Sequence, residues 1–131
     1  MRDELSRVAA AVSVIVASGL TLAACSTAPQ TLSPSELIGR SLDSFTELAG
    51  VNLEILIQDA SPRIGRAASY QAPNDAGWVI VAACSSSGSV LASASVEVAV
   101  IPADGYTTGV ESDVRAGEWL DAVDCEGRAF R

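Results

Sequence analysis

Three cysteines are the residues of this chain best suited to covalent chemistry, and their positions set them apart from one another. Cys25 follows Leu22-Ala23-Ala24 at the end of the longest apolar run, whereas Cys84 and Cys125 stand far downstream. A thiol can be acylated, oxidised to a disulfide, activated as a nucleophile or used to hold a metal. The last two uses need partners that the composition does not supply. The chain has no histidine, which removes the usual general base and the commonest metal ligand. It also has no lysine to activate a serine. Cys84 and Cys125 form no C-x-x-C unit, so they do not indicate a metal or redox site. The serine-rich "CSSSGS" contains no G-x-S-x-G, S-x-x-K or phosphate-loop pattern and reads as a turn. Neither an enzyme nor a cofactor or metal site is expected.

The segment that carries Cys25 explains the odd cysteine count. Arg2 and Arg7 precede an uncharged run over residues 8–24 that ends in small residues, the pattern of an export signal. A spanning helix needs about 20 predominantly apolar residues, and Ser13, Ser18, Gly19 and Thr21 interrupt this run. Asp3 and Glu4 dilute the positive start. Leu22-Ala23-Ala24-Cys25 resembles the bacterial lipobox. The resemblance implies that residues 1–24 are a lipoprotein signal peptide and that the Cys25 thiol takes a diacylglyceryl group, the alternative being an ordinary secretion signal. Two acyl chains give stable anchoring at about 0.8 kcal/mol per buried methylene, whereas one is marginal. If Cys25 is lipidated, Cys84 and Cys125 remain as a pair in an oxidising compartment, where a disulfide is the default. The loop they would close corresponds to roughly 4 kcal/mol in the chain-entropy picture.

Local pattern then gives the elements. Residues 25–34 form a polar, proline-bearing tether, whose nine residues from Ser26 to Pro34 reach at most about 30 Å. Ser41 is placed to cap a helix in which Leu42, Phe45, Leu48 and Ala49 recur at helical spacing, and Gly50 stands where a helix stops. Leu53, Ile55 and Ile57 alternate with Glu54, Leu56 and Gln58 as in a half-buried strand. "WVIVAAC", from Trp78 to Cys84, is apolar throughout and reads as the central strand, and "ASVEVAVIP" reads as a third strand ended by Pro102. In "VRAGEWLDAVDC" the stripe Trp119, Leu120, Val123 predicts a C-terminal helix that packs on the sheet and brings Cys125 to Cys84. The expected fold is α+β, with one helix on a small three-stranded sheet and an additional C-terminal helical segment.

"LIGRSLDSFTELAGVNLEI" and "WVIVAACSSSGSVLASASVEVAVI" resemble the two halves of a PASTA domain: an apolar pair, Gly39, Leu42, a helix, a glycine and a strand, then a strand, the Gly88 turn and a Val-rich final strand. The division that follows is a signal peptide at 1–24, a tether at 25–34, a PASTA-like domain at 35–103 and a C-terminal extension at 104–131. Departures from the family pattern are the displacement of a proline to Pro34, Ala83-Cys84-Ser85-Ser86 at the end of the middle strand, and a long insert before Trp78. The resemblance implies a module without catalytic activity at the cell surface, linked to peptidoglycan fragments or to spacing between domains.

Arg63 and Arg66, beside Asp59 and Tyr70, form the one cation cluster of the folded body. A guanidinium fork suits a carboxylate or phosphate, so the pair could grip a peptide-stem carboxylate or a pyrophosphate-linked wall precursor. The favoured alternative is that both pair with Asp59 and Asp75 and order a long loop. Asp121, Asp124 and Glu126 lack the spacing of a calcium loop and read as a solvated acidic face. The formal net charge of -8 argues against a nucleic-acid partner and against attachment to anionic lipid by charge alone. The expectation is a lipoprotein anchored at the extracytoplasmic face of the cell membrane. Its partners would be peptidoglycan fragments, wall precursors or a membrane-bound wall enzyme; the alternative is an accessory acting through protein contacts without a small ligand.

Overall fold

The computed structural model describes residues 31–131; the expected signal peptide at 1–24, Cys25 and the expected tether up to residue 30 lie outside the described residues. The described chain opens with a single 3-10 turn at Pro34–Leu37, whose Glu36 carboxylate accepts from the Ser33 N–H at 2.6 Å and the Ser33 hydroxyl at 2.8 Å. Helix α1 follows at Leu42–Ala49, starting after Ser41 and stopping at Gly50, where φ is 64°. A positive φ is costly for any residue with a Cβ, so the glycine ends the helix where the pattern places the stop. Leu42 and Phe45 are buried, but Leu48 is exposed, so the buried stripe is narrower than the spacing suggests.

Strands β1 (Glu54–Asp59), β2 (Trp78–Ser85) and β3 (Ser95–Pro102) form one sheet in the order β1-β3-β2. β1 runs parallel to β3, with Ile55 opposite Val96 and Ile57 opposite Val98, and β2 runs antiparallel to β3. The central strand is therefore β3, and the expectation that β2 lies in the middle is corrected. The continuous apolar sequence of β2 reflects cover on both of its faces rather than neighbours on both of its edges. Its outer edge is closed at two points: Ile80 exchanges backbone hydrogen bonds with Gly39 and Arg40, and Ser85 does so with Phe130.

Each face of the sheet carries its own core. Val96, Val98 and Val100 turn to one side and pack with Leu37, Leu42, Phe45, Trp78 and Ile80. Ala82, Cys84, Ala99 and Ile101 turn to the other and meet Val114, Trp119 and Val123 from the C-terminal segment. Both tryptophans are less than a tenth exposed, which fits packing rather than a sugar-stacking platform.

The C-terminal helix is shifted from its expected place. Helix α2 spans Thr108–Arg115, with the Thr107 hydroxyl accepting from the Val110 N–H at its start. The chain then turns at Gly117, where φ is 81°, and forms only a short 3-10 turn at Leu120–Ala122. Trp119 and Val123 are buried as the apolar stripe implies, while Leu120 stays 37% exposed. The glycine breaks the helical repeat, so these side chains reach the sheet from a turn. Cys84 and Cys125 are joined in a disulfide with Cα atoms 5.9 Å apart. The result is an α+β fold of two helices and a three-stranded mixed sheet.

Candidate functional site

The loop 60–77 between β1 and β2 carries Arg63 and Arg66, and Asp59 anchors it. The Asp59 carboxylate accepts from the backbone N–H groups of Ser61 at 2.8 Å, Ser69 at 2.6 Å and Tyr70 at 2.8 Å. Burial pushes the Asp59 carboxyl up, but the neighbouring Ser61 hydroxyl and these three N–H groups outweigh it and hold the carboxyl below its ordinary value. Tyr70 packs edge-to-face on Trp78 with ring centroids 5.3 Å apart and donates its hydroxyl to Asp75 at 2.6 Å. Burial, and then the Asp75 carboxylate, push its phenol up to about 12.

With Asp59 and Asp75 occupied in this way, the two arginines find other partners than those expected. Arg63 reaches Asp121 at 2.5 Å and lies over the Trp119 ring, 5.0 Å from its centroid. Arg66 reaches Asp104 at 2.7 Å. The hydrogen bond from each arginine holds its carboxyl partner below the usual carboxylate range. The two guanidiniums thus engage different segments, one the turn after α2 and the other the turn at Ala103–Gly105, and they do not form a single fork. Gly105 lets the loop come close, since a Cβ there would meet Ile64 at 2.5 Å.

One charged centre escaped the sequence reading. Glu97 is 1% exposed on the central strand and accepts from Arg128 at 2.5 Å, from the Asp124 N–H at 2.9 Å and from Gln58 at 3.3 Å. The sequence signal was a glutamate on the second face of a strand whose flanking residues are all apolar, a position that requires a buried partner. Nothing local identifies that partner, because Arg128 lies beyond a disulfide-held turn.

A second feature is a groove of about 430 Å³ at the outer edge of β2, lined by Ser35, Ile38, Val81, Ala83, Val114, Arg115, Gly117, Leu120 and Arg131. It opens between the two points at which that edge is closed. Its lining is mixed, with Ile38, Val81, Ala83, Val114 and Leu120 beside Ser35, Arg115 and Arg131. Arg115 gives its Nε and one terminal nitrogen to Glu111, four residues back on α2. Arg131 follows directly on Phe130, whose backbone is fixed to Ser85. Sequence reasoning did not find this groove, because its residues come from four separate stretches of chain.

No cluster of three metal-ligating side chains occurs among the described residues. No described helix is long and apolar enough to cross a membrane. Comparison with protein-family models, curated proteins and solved structures found no match.

Proposed function

We propose that the chain is a non-catalytic cell-envelope lipoprotein, held by a lipidated Cys25 at the extracytoplasmic face of the membrane and acting by binding through a PASTA-like domain. The observation that supports it is the fate of the cysteines. Cys84 and Cys125 are joined, which leaves Cys25, at the lipobox-like Leu22-Ala23-Ala24-Cys25, as the single remaining cysteine. A covalent bridge of this kind suits an exported chain. On this reading the ligands are peptidoglycan fragments or wall precursors near the membrane. Arg63 and Arg66 would reach them by exchanging Asp121 and Asp104 for a ligand carboxylate or phosphate, a cheap exchange at exposed ion pairs. Palmitate labelling tests the anchor: incorporation that Cys25→Ala abolishes is expected, and an unlabelled chain would overturn it. Retention of purified muropeptide or lipid-linked precursor, weakened by Arg63→Ala with Arg66→Ala, tests the ligand, and failure to retain either would remove it.

A second reading, an accessory that acts through protein contacts, is favoured by one specific observation: the two loop arginines already have carboxylate partners on separate segments. Cross-linking at the surface of intact cells separates the two readings. A dominant protein adduct favours the second, and glycan or lipid adducts favour the first.

A further inference from the structure

We propose that the outer edge of β1 is where a second copy of this chain docks, β1 pairing antiparallel with its own counterpart about a twofold axis so that the sheet continues into the other copy. The proposal goes beyond both readings above and needs neither the lipid anchor nor a small ligand.

β1 stands at the end of the sheet. In the order β1-β3-β2 it has β3 on one side and no described strand on the other, and the isolated bridges lie elsewhere, at Ser41 with Val79 and at Ser85 with Phe130. The Glu54 N–H donates to the Ala94 carbonyl at 3.4 Å and the Ala60 N–H to that of Val100 at 2.9 Å. The even-numbered residues of β1 thus turn their backbone groups to β3. Because successive residues of a strand address opposite edges, Ile55 and Ile57 turn theirs outward, where no described residue pairs with them.

The edge is open as well as unpaired. Glu54, Leu56 and Gln58 are exposed and Ile55 and Ile57 only partly buried, whereas β2 is buried along nearly its whole length. Edge strands are ordinarily guarded by lysine, proline, a bulge or an inward charge. β1 has neither lysine nor proline, runs along β3 without a shift of register, and carries Ile55-Leu56-Ile57 at its middle. Only its far end is occupied, where the Ser69 and Tyr70 N–H groups hold the Asp59 carboxylate.

What selects a second copy is that this edge is complementary to itself. In an antiparallel pair, opposed residues are either both hydrogen-bonded or both not, so an outward-facing Ile55 has to meet another outward-facing residue. With Leu56 on the axis, Ile55 of each copy lies opposite Ile57 of the other, and each such pair exchanges both of its N–H···O bonds. Leu56, 37% exposed in the single chain, then meets Leu56 on one face while the isoleucines meet on the other, as apolar cross-strand pairs. Glu54 falls opposite Gln58. A slip of one residue, which would set Glu54 against Asp59, is barred by the bond pattern. A chain of formal charge -8 can therefore meet itself here without opposing like charges, and an isologous contact of this kind closes at the dimer.

The test uses the full chain in detergent micelles kept in excess over protein. Leu56→Cys under mild oxidation is expected to give a disulfide-linked dimer, since Cα atoms of a non-hydrogen-bonded pair on the axis lie about 4.5 Å apart, within disulfide reach. Val51→Cys, at a position 98% exposed but away from the axis, is expected to give none; the unmodified chain subtracts any bond through Cys25. Equal linkage from both positions, or none from Leu56→Cys, would overturn the proposal.

Sedimentation reads the same contact without an added cysteine. Leu56→Lys and Leu56→Glu, at a partly exposed side chain, are each expected to weaken dimerisation about tenfold, the scale of an apolar cross-strand pair replaced by two like charges. Mixing the two variants should restore it, and a mixture no tighter than either alone would count against the register. Amide hydrogen exchange identifies the occupant. Protection of the Ile55 and Ile57 N–H groups that rises with protein concentration supports a second copy. Protection that persists unchanged on dilution would assign the edge to another stretch of the same chain, and free exchange at every concentration would leave it bare; either result overturns the dimer.

Discussion

On one face of the sheet three valines of β3 meet Leu37, Leu42 and Phe45; on the other, Ala82 and Ala99 leave a shallow surface that Trp119 and Val123 cover from a segment with little regular structure. The first face is closed by side-chain volume alone. The second is closed by less apolar volume from the sheet and by two further devices, the Cys84–Cys125 disulfide and the buried Glu97–Arg128 pair. A helix that arrives with an apolar stripe needs no clamp, whereas a turn-rich strap brings fewer large side chains and has to be fastened. The clamped face also builds one wall of the β2-edge groove, through Val114, Leu120 and Arg131.

Breaking each fastening separately tests this contrast. The largest effect is expected from Arg128→Ala, which leaves Glu97 buried without its cation and costs about 3–5 kcal/mol in urea unfolding. Replacing both members together, Glu97→Leu with Arg128→Met, should recover most of that loss, because the cost comes from the unpaired charge. Phe45→Ala should cost about as much, roughly 3–5 kcal/mol, but its effect falls on the first face. Hydrogen exchange distinguishes the two, with protection lost first around residues 116–131 for the arginine variant and first around α1 for the phenylalanine variant.

Removing the disulfide, by Cys84→Ser with Cys125→Ser, should cost about 2–4 kcal/mol. Thermal unfolding of the oxidised and reduced chains measures the difference, and the reduced form should lose protection over 116–131 while β1 keeps it.

Acid gives a smaller and more local effect. The folded Asp59 carboxyl lies below its ordinary value of 3.8. Its contribution is therefore complete above the unfolded value and is lost as the pH falls through the folded one. The amides of Ser61, Ser69 and Tyr70 should exchange faster, relative to the intrinsic rate, once the pH drops below that range, and Asp59→Asn should remove the dependence. The smallest effect is expected for Arg63→Ala, which removes an exposed ion pair and a ring contact and should leave the unfolding midpoint nearly unchanged. A large shift there would show that the loop, too, is a fastening of the second face.

Much of the first face could be read from the sequence because its determinants are local. Ser41, Leu42, Phe45 and Gly50 place α1 within a single stretch, and the alternation of Val96, Val98 and Val100 defines a strand with an inward side. The second face was less legible. The stripe Trp119, Leu120, Val123 identified which residues approach the sheet but mistook a turn for a helix, since Gly117 adopts a positive φ that the apolar spacing does not reveal. The candidate site suffered most. Arg63 and Arg66 were noticed as a pair because they are close in sequence, yet their partners, Asp121 and Asp104, lie in separate later segments. The groove draws on residues as far apart as Ser35 and Arg131.

The sequence by itself determined the segments, the apolar sides they present, the lipobox-like placing of Cys25 and the lack of histidine and lysine. Tertiary structure decided which strand is central, which carboxylate each arginine meets and how the edge of β2 is closed by Gly39, Arg40 and Phe130. Periodicity and turn chemistry act over a few neighbouring residues and are written in order along the chain. Edge pairing and charge pairing join residues dozens of positions apart and exist only once the chain has folded back on itself.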